Sequence, residues 1–453
     1  DEYTVTFDPN GRDVQNLPAE ITVKAGAMVQ KPEDPSRSGY IFAGWYASGQ
    51  YRGAPYFDAV GKSEPVTSDM RLYAKWKAPV RLKLSDVTSF VNSSKDYFGF
   101  VSNILENYKY PMDDRYRDLA VEIFSASYVW ADPQNTSKAL ESAKSDVNSR
   151  MEAAWRGSCF GASTIVDHGL ASLFTPGDVQ EGAASVYQLK APKNNKELRS
   201  LLHFYQITQY TPEMLAIMNG TNIAENDYWD RLVYALQTND LPVLVGFNWW
   251  KNAGDLMGGH AVLAYDCVFV PAENQQPAYY AVKIWDSRDS AEVNITSPRT
   301  LKLYPQKKDG SGALGPDAEF DREYDDAPNF SELLCYLPIK DLSRWNAPDM
   351  LKYKENPGAF SSTNPDDAGR PNVIIVHPTL STNYGSFSIA CSDGSSAVVE
   401  DGRRVSGTLD IYRGVSFGLP TDMEDCRPAY TFTLPNQGAN VSYTITPAEE
   451  DAG

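Results

Sequence analysis

The sequence predicts an α+β protein in three parts, and three observations carry that reading. Residues 1–78 alternate apolar and polar positions between turn residues, as short strands do. Residues 79–156 place apolar side chains at the three- and four-residue spacing of helices, and strand-like runs follow from Leu241 onward. From about residue 346 prolines and small polar residues mark a linker, after which short strand-like runs return. The 453 residues exceed one ordinary core, and 42% apolar residues with 12% aromatics suffice for several. A net charge of −18 argues against nucleic acid or an anionic membrane surface as the main partner. The chain has no apolar run of about 18 residues, so no transmembrane segment is expected. It opens without a basic and apolar leader, so a secretion signal is expected to be removed or to lie outside this sequence.

The first module contains Tyr3-Thr-Val-Thr-Phe-Asp-Pro-Asn-Gly11, a strand pattern running into an Asn-Gly turn. In that turn Asn10 and Gly11 are expected to take positive φ. Ile21-Thr-Val23, Ser38-Gly-Tyr-Ile-Phe-Ala-Gly-Trp-Tyr46 and Met70-Arg-Leu-Tyr-Ala-Lys-Trp76 complete a small, mostly β unit. Trp45 and Trp76 read as core residues. These motifs resemble the internalin-type B repeat of bacterial surface and secreted proteins, with Arg12 where many repeats carry a second glycine. The resemblance implies an extracellular or cell-surface setting and a spacer or adhesive role, with a cell wall or host surface as the partner.

Residues 79–156 read as a helical lobe or a pro-segment, with helices over Asp113–Phe124 and Ser137–Trp155. The run Gly157-Ser-Cys-Phe-Gly-Ala-Ser163 then predicts a helix from Cys159 to Phe174, entered through a flexible glycine and capped by Ser158. Ile165, Val166, Leu170 and Leu173 face inward. A cysteine in a first helical turn meets the positive end of the helix dipole, which favours the reactive thiolate, and its backbone N–H can donate to an oxyanion. Taken alone, such a cysteine reads as a buried or capping thiol.

A partner imidazole changes the weighing. Leu241–Phe247 reads as a strand, and His260 begins the next one behind Gly258 and Gly259, which leave room for a substrate backbone. The other three histidines, His168, His203 and His377, lack this setting and read as structural. The strand Tyr279–Trp285 ends at Asp286. Antiparallel pairing brings that carboxylate beside His260, where it can fix the imidazole tautomer.

Gly-Ser-Cys-Phe-Gly-Ala and Gly-Gly-His-Ala-Val-Leu-Ala-Tyr resemble the nucleophile and histidine motifs of papain-like cysteine peptidases, closest to secreted bacterial members. The resemblance implies a two-lobed peptidase domain over 79–345, acting on protein or peptide substrates. It also implies catalysis by Cys159 as nucleophile, His260 as base then acid and Asp286 as orienting residue, with no metal or organic cofactor. Two features depart from the family. The oxyanion-hole Gln six positions before the cysteine is Ala153 here, which leaves Gln206 and Gln209 as candidate donors, and the stretch from Cys159 to His260 is short. The same residues suit a transglutaminase-type acyl transferase, and a catalytically decayed adhesin is the non-enzyme alternative.

Among the five cysteines no Cys-x-x-Cys spacing suggests zinc. Cys267 and Cys335 read as buried thiols, and a Cys391–Cys426 disulfide stays open. Residues 346–453 are a linker and a β-sandwich-like accessory domain, with strands expected at Val373–His377, Gly385–Cys391, Tyr430–Leu434 and Val441–Thr446. Trp249 and Trp250, ahead of the histidine, could wall a cleft or pack in the core.

Overall fold

A computed structural model describes residues 1–351 except 52–54, 103, 105–106, 133, 135, 172, 174, 224–228, 240, 253–254, 274–275, 307–313, 322–329, 343–344 and 349. Beyond them it describes 372–376, 387–392, 394–400, 403–408, 412–416, 429–434 and 443–447. Helices and strands are both present, with a small β region at the N-terminus. The chain divides into two units: Asp1–Val91 with Met218–Ile339, and Asn92–Ile217 with Lys340–Gly453.

The first unit opens with β1 (Glu2–Asp8), β2 (Val14–Gln15), β3 (Ile21–Lys24), β4 (Ser36–Arg37), β5 (Ile41–Tyr46) and β6 (Met70–Lys77). The sheet order is β3-β1-β6-β5, with β1 parallel to β6 and the other neighbours antiparallel. Period-two alternation sends Val5, Phe7, Leu72 and Ala74 into one core with Phe42 and Trp45. The Trp45 ring meets Phe7 and Phe42 edge-on at 4.9 and 5.3 Å. Trp76 packs on the same cluster and donates its indole N–H to the Pro9 carbonyl at 2.8 Å. The two-residue reversal expected at Asn10–Gly11 does not form. The next partner of β1 is β3, which begins only at Ile21, and positive φ falls on Asn10 (42°) and Asp13 (59°). Gly11 serves space instead, since a Cβ there would lie 3.1 Å from the Arg37 guanidinium.

The rest of this unit is built around a six-stranded antiparallel sheet: β7 (Val243–Asn252), β8 (Asp255–Val270), β9 (Tyr279–Trp285), β10 (Arg299–Gln306), β11 (Leu314–Phe320) and β12 (Phe330–Pro338). Its order is β11-β10-β9-β8-β7-β12. Leu232, Val233 and Leu236 of the helix Trp229–Thr238 pack on a core formed by alternate residues of these strands, among them Val245, Phe247, Val262, Ala264, Val282 and Ile284.

The N-terminal repeat is fastened to this helix and sheet by buried polar bonds. Asp34, 1% exposed, accepts from Gln237 Nε2 at 2.6 Å and Tyr280 Oη at 2.9 Å, and Lys31 pairs with it at 3.0 Å. Lys77 donates to the carbonyls of Leu236, at 2.9 Å, and Asn239, which lie at the end of the helix. An amine there satisfies carbonyls that have no intrahelical partner.

The second unit carries α1 (Ser94–Phe98), α2 (Asp114–Ala131), α3 (Thr136–Glu152), α4 (Cys159–Leu170) and α5 (Lys196–Thr208). Asp113 caps α2, accepting the Arg115 N–H at 3.0 Å. The helix expected to run through Trp155 ends at Glu152, and the one expected to reach Phe174 ends at Leu170, with Phe174 outside the described residues. Ile165 and Val166 are buried, whereas Leu170 and Leu173 are only half-buried. Helices α4 and α5 cross closely at Gly161, where a Cβ would come within 2.1 Å of the Leu202 carbonyl oxygen.

The tail forms two sheets. One has the order β13-β18-β17, from Asn372–Val376, Ala429–Leu434 and Tyr412–Ser416. The other has the order β16-β15-β14-β19, from Arg403–Gly407, Ser396–Glu400, Phe387–Cys391 and Tyr443–Pro447. Three of these, Ser396–Glu400, Arg403–Gly407 and Tyr412–Ser416, were not expected from sequence. Cys391 is buried, and Cys426 and His377 lie outside the described residues, as do the side chains of Trp249 and Trp250.

Candidate active site

His260 and Asp286 are brought together by the β8–β9 pairing. Leu263 faces Trp285 across that antiparallel ladder, so Asp286 falls just past the end of β9, level with the His260 end of β8. Alternation puts His260 on the same face as Val262 and Ala264, and Asp286 on the same face as Val282 and Ile284. The two polar residues thus terminate an apolar stripe. His260 does not begin its strand: β8 starts at Asp255, and Gly258 and Gly259 lie inside a hairpin extension opposite Trp249 and Asn248.

His260 Nε2 lies 2.7 Å from Asp286 Oδ1, with the side chains 3% and 0% exposed. A carboxylate only accepts, so it selects the Nε2–H tautomer, and the neutral ring then carries its lone pair on Nδ1. Phe247 stands edge-on to the imidazole at 5.5 Å.

Residues that the sequence reading missed hold Asp286. Arg288 N–H donates to its Oδ1 at 2.8 Å, and the Arg299 guanidinium lies 3.7 Å from Oδ2 while bonding Asp289 at 2.9 Å. Asn294 clamps the backbone on both sides, accepting from Asp286 N and donating to Asp286 O, each at 2.8 Å. Its position four residues after Ser290, the cap of a short helix, is a signal only once that helix is known.

Cys159 belongs to the other unit, as the first residue of α4. The expected Ser158 cap is absent: its side chain makes no capping bond and its Oγ instead accepts the Trp155 indole N–H at 2.9 Å. The entry loop is held at every step rather than being flexible. Trp155 N donates to Tyr108 O at 2.8 Å, Arg156 N to Tyr110 Oη at 3.1 Å, Tyr110 Oη to Gly157 O at 3.1 Å, and Ser158 N to Asn92 Oδ1 at 2.8 Å. Gly157 takes φ +113°, a conformation that disfavours any residue with a Cβ.

Three phenols stand near the thiol. Burial raises the pKa of Tyr97, of Tyr110 to about 12, and of Tyr210, and the Cys159 charge adds a smaller push on each. These hydroxyls therefore stay protonated at neutral pH. Gln206 is buried and its Oε1 accepts the Gly161 N–H at 3.1 Å, while Gln209 Nε2 donates to the Gln206 carbonyl at 2.5 Å.

The other described cysteines and histidines differ in setting. Burial pushes the Cys267 thiol far up and Cys335 up to about 12, whereas Cys159 is half-buried. His168 is held between Leu342 O and Tyr205 Oη, each at 3.2 Å, and His203 Nδ1 bonds Pro111 O at 2.9 Å.

Comparison with known proteins bears on the N-terminal module alone. Residues 3–75 match the Listeria-Bacteroides repeat domain. Two Evansella cellulosilytica proteins, named as putative membrane proteins and one of them as Gly-rich, are similar at 35% identity over 79 residues and 33% over 75 residues. Each similarity covers 17% of this chain and only 8% and 10% of those proteins. No solved structure matches. Among the described residues no helix is long and apolar enough to cross a membrane.

Proposed function

We propose that the chain is a bacterial cysteine peptidase of papain-like, two-lobed type, working outside the cell or at its surface. The observation that carries the reading is the buried His260–Asp286 pair at 2.7 Å, in a chain whose half-buried cysteine opens a helix behind a pinned loop. A buried imidazole fixed in one tautomer by a carboxylate is costly to assemble for packing alone, and it is the arrangement that activates a thiol.

In this mechanism His260 Nδ1 takes the Cys159 proton. The thiolate sulfur bonds to the peptide carbonyl carbon, and the carbonyl electron pair moves onto oxygen. Collapse of the anion breaks the C–N bond, and His260 gives its proton to the leaving amine. Water then attacks the thioester, with His260 as base, releasing the acid and restoring the thiol. Asp286 stabilises the imidazolium and holds its orientation. The repeat, with its membrane-protein relatives, supports the surface setting, where a cell wall or host surface is its partner.

The test is cleavage of a peptide mixture by the full chain and by Cys159→Ala. Cleavage is expected only with the cysteine present, and equal cleavage by both would remove the proposal. An added primary amine distinguishes hydrolysis from transfer, since a transferase yields the amide product in place of the acid.

A further inference from the structure

We propose that Asn92 supplies the side-chain oxyanion donor at Cys159, a role no residue of the nucleophile motif itself fills. The inference rests on the cysteine-peptidase reading and names a further catalytic residue for it.

Attack on a carbonyl leaves a full negative charge on oxygen, and donors already aimed at that oxygen provide much of the rate enhancement. The Cys159 backbone N–H, in the first turn of α4, is one such donor. A second is needed, and position 153, where the motif would place it, is an alanine. The two candidate glutamines, Gln206 in α5 and Gln209 at its C-cap, are anchored away from the Cys159 end of α4. Gln206 presents its oxygen to Gly161, about 200° around the helix from Cys159, and Gln209 donates to the Gln206 carbonyl.

Asn92 comes from the segment just before α1, whose cap is Ser93. Its Oδ1 takes the N–H of Ser158, the residue before the nucleophile, at 2.8 Å. That bond fixes the carboxamide plane and leaves Nδ2, which only donates, on the other side. Nδ2 lies 3.0 Å from the point a Cβ at Gly157 would occupy. Because residue 157 has no side chain, the amide approaches the chain directly at the entry to the nucleophile. In the acylation step the Cys159 sulfur bonds to the carbonyl carbon, the C=O π pair moves to oxygen, and that oxygen accepts from Cys159 N–H and Asn92 Nδ2. The pair returns as the leaving group departs.

The experiment uses the full chain and two probes. Burst acylation of Cys159 by p-nitrophenyl acetate forms a tetrahedral anion, whereas alkylation by iodoacetamide, followed to its high-pH plateau, does not. Asn92→Asp keeps the acceptor for Ser158 N and replaces the donor by oxygen; Asn92→Ala removes the donor without adding charge. Both variants are expected to lose about 100-fold in acylation rate while keeping the plateau alkylation rate within a few-fold. Acylation at the wild-type rate in either variant overturns the proposal. So does a parallel loss of both reactions, which would make Asn92 a support for the loop and nothing more. A wild-type chain that alkylates at Cys159 but never acylates there overturns the peptidase reading itself, and with it this one.

Discussion

In the proposed peptidase the imidazole of His260 is the base, and its neighbours set what it can do. Asp286 holds Nε2 at 2.7 Å and is itself held at 2.8 Å by Arg288 N–H and Asn294, so turning the ring loses a bond to a carboxylate that is fixed in place. His260→Ala is expected to lower kcat/KM on peptides by about 100- to 10,000-fold, the range for a lost general base, and Asp286→Ala by less, because the base survives with its orientation loosened. Steady-state kinetics on a fluorogenic peptide decide this, and a His260→Ala enzyme with wild-type kcat/KM would contradict it. His203 offers a separate, structural prediction. Burial lowers its pKa to about 3, against 6.5 when exposed, so the unfolded chain binds the proton more readily throughout that window. Stability from this residue is complete above pH 6.5 and is lost as pH falls toward 3, by up to about 1.4 kcal/mol per pH unit. His203→Gln, which can still donate to Pro111 O, is expected to flatten the acid dependence of the urea midpoint; an unchanged slope would count against the assignment.

At the scale of elements, the crossing of α4 over α5 depends on Gly161. The Leu202 carbonyl is backbone and cannot retreat from a Cβ placed 2.1 Å away, so Gly161→Ala is expected to cost about 1–3 kcal/mol, seen as a lowered thermal midpoint. An unchanged midpoint would mean that the helices separate freely. The sequence made this element legible in part. The apolar spacing of Ile165 and Val166 and the turn-like Gly157-Ser158 located the start of α4, because those signals are local. The Ser158 cap was misjudged because Trp155, three residues earlier, takes its hydroxyl in an aromatic cluster with Tyr97 and Phe98. Asn92 was invisible, since 66 positions separate it from its partner and an isolated Asn carries no periodic signal. On the sheet side, the antiparallel order of two strand-like runs made the His260–Asp286 pairing legible, and the structure adds the alternation of Val262, Ala264, Val282 and Ile284 beside it. The length of β8 was not, because its extension through Gly258 and Gly259 lacks that alternation. The strands Ser396–Glu400 and Arg403–Gly407 escaped for a similar reason, the first a short Ala-Val-Val run without alternation and the second largely polar or charged.

At the scale of the whole molecule, the first unit joins a repeat to a histidine-bearing sheet through buried polar bonds rather than a loose tether. Asp34 is the acceptor for both Gln237 and Tyr280, so Asp34→Ala leaves two buried donors without it and is expected to cost about 1–3 kcal/mol in urea unfolding. Arg71→Ala, which removes an exposed pair with Asp8 at 3.8 Å, serves as the contrast and is expected to cost under about 1 kcal/mol. Equal effects of the two would mean that the repeat is not anchored through Asp34. The account of function rests in the end on a covalent bond to one sulfur. Rapid quench of the full chain with a peptide ester, followed by peptide-mapping mass spectrometry, measures that bond directly. The acyl mass is expected on the fragment containing Cys159, absent from Cys159→Ala and strongly reduced in His260→Ala; an adduct elsewhere, or one indifferent to His260, would contradict it.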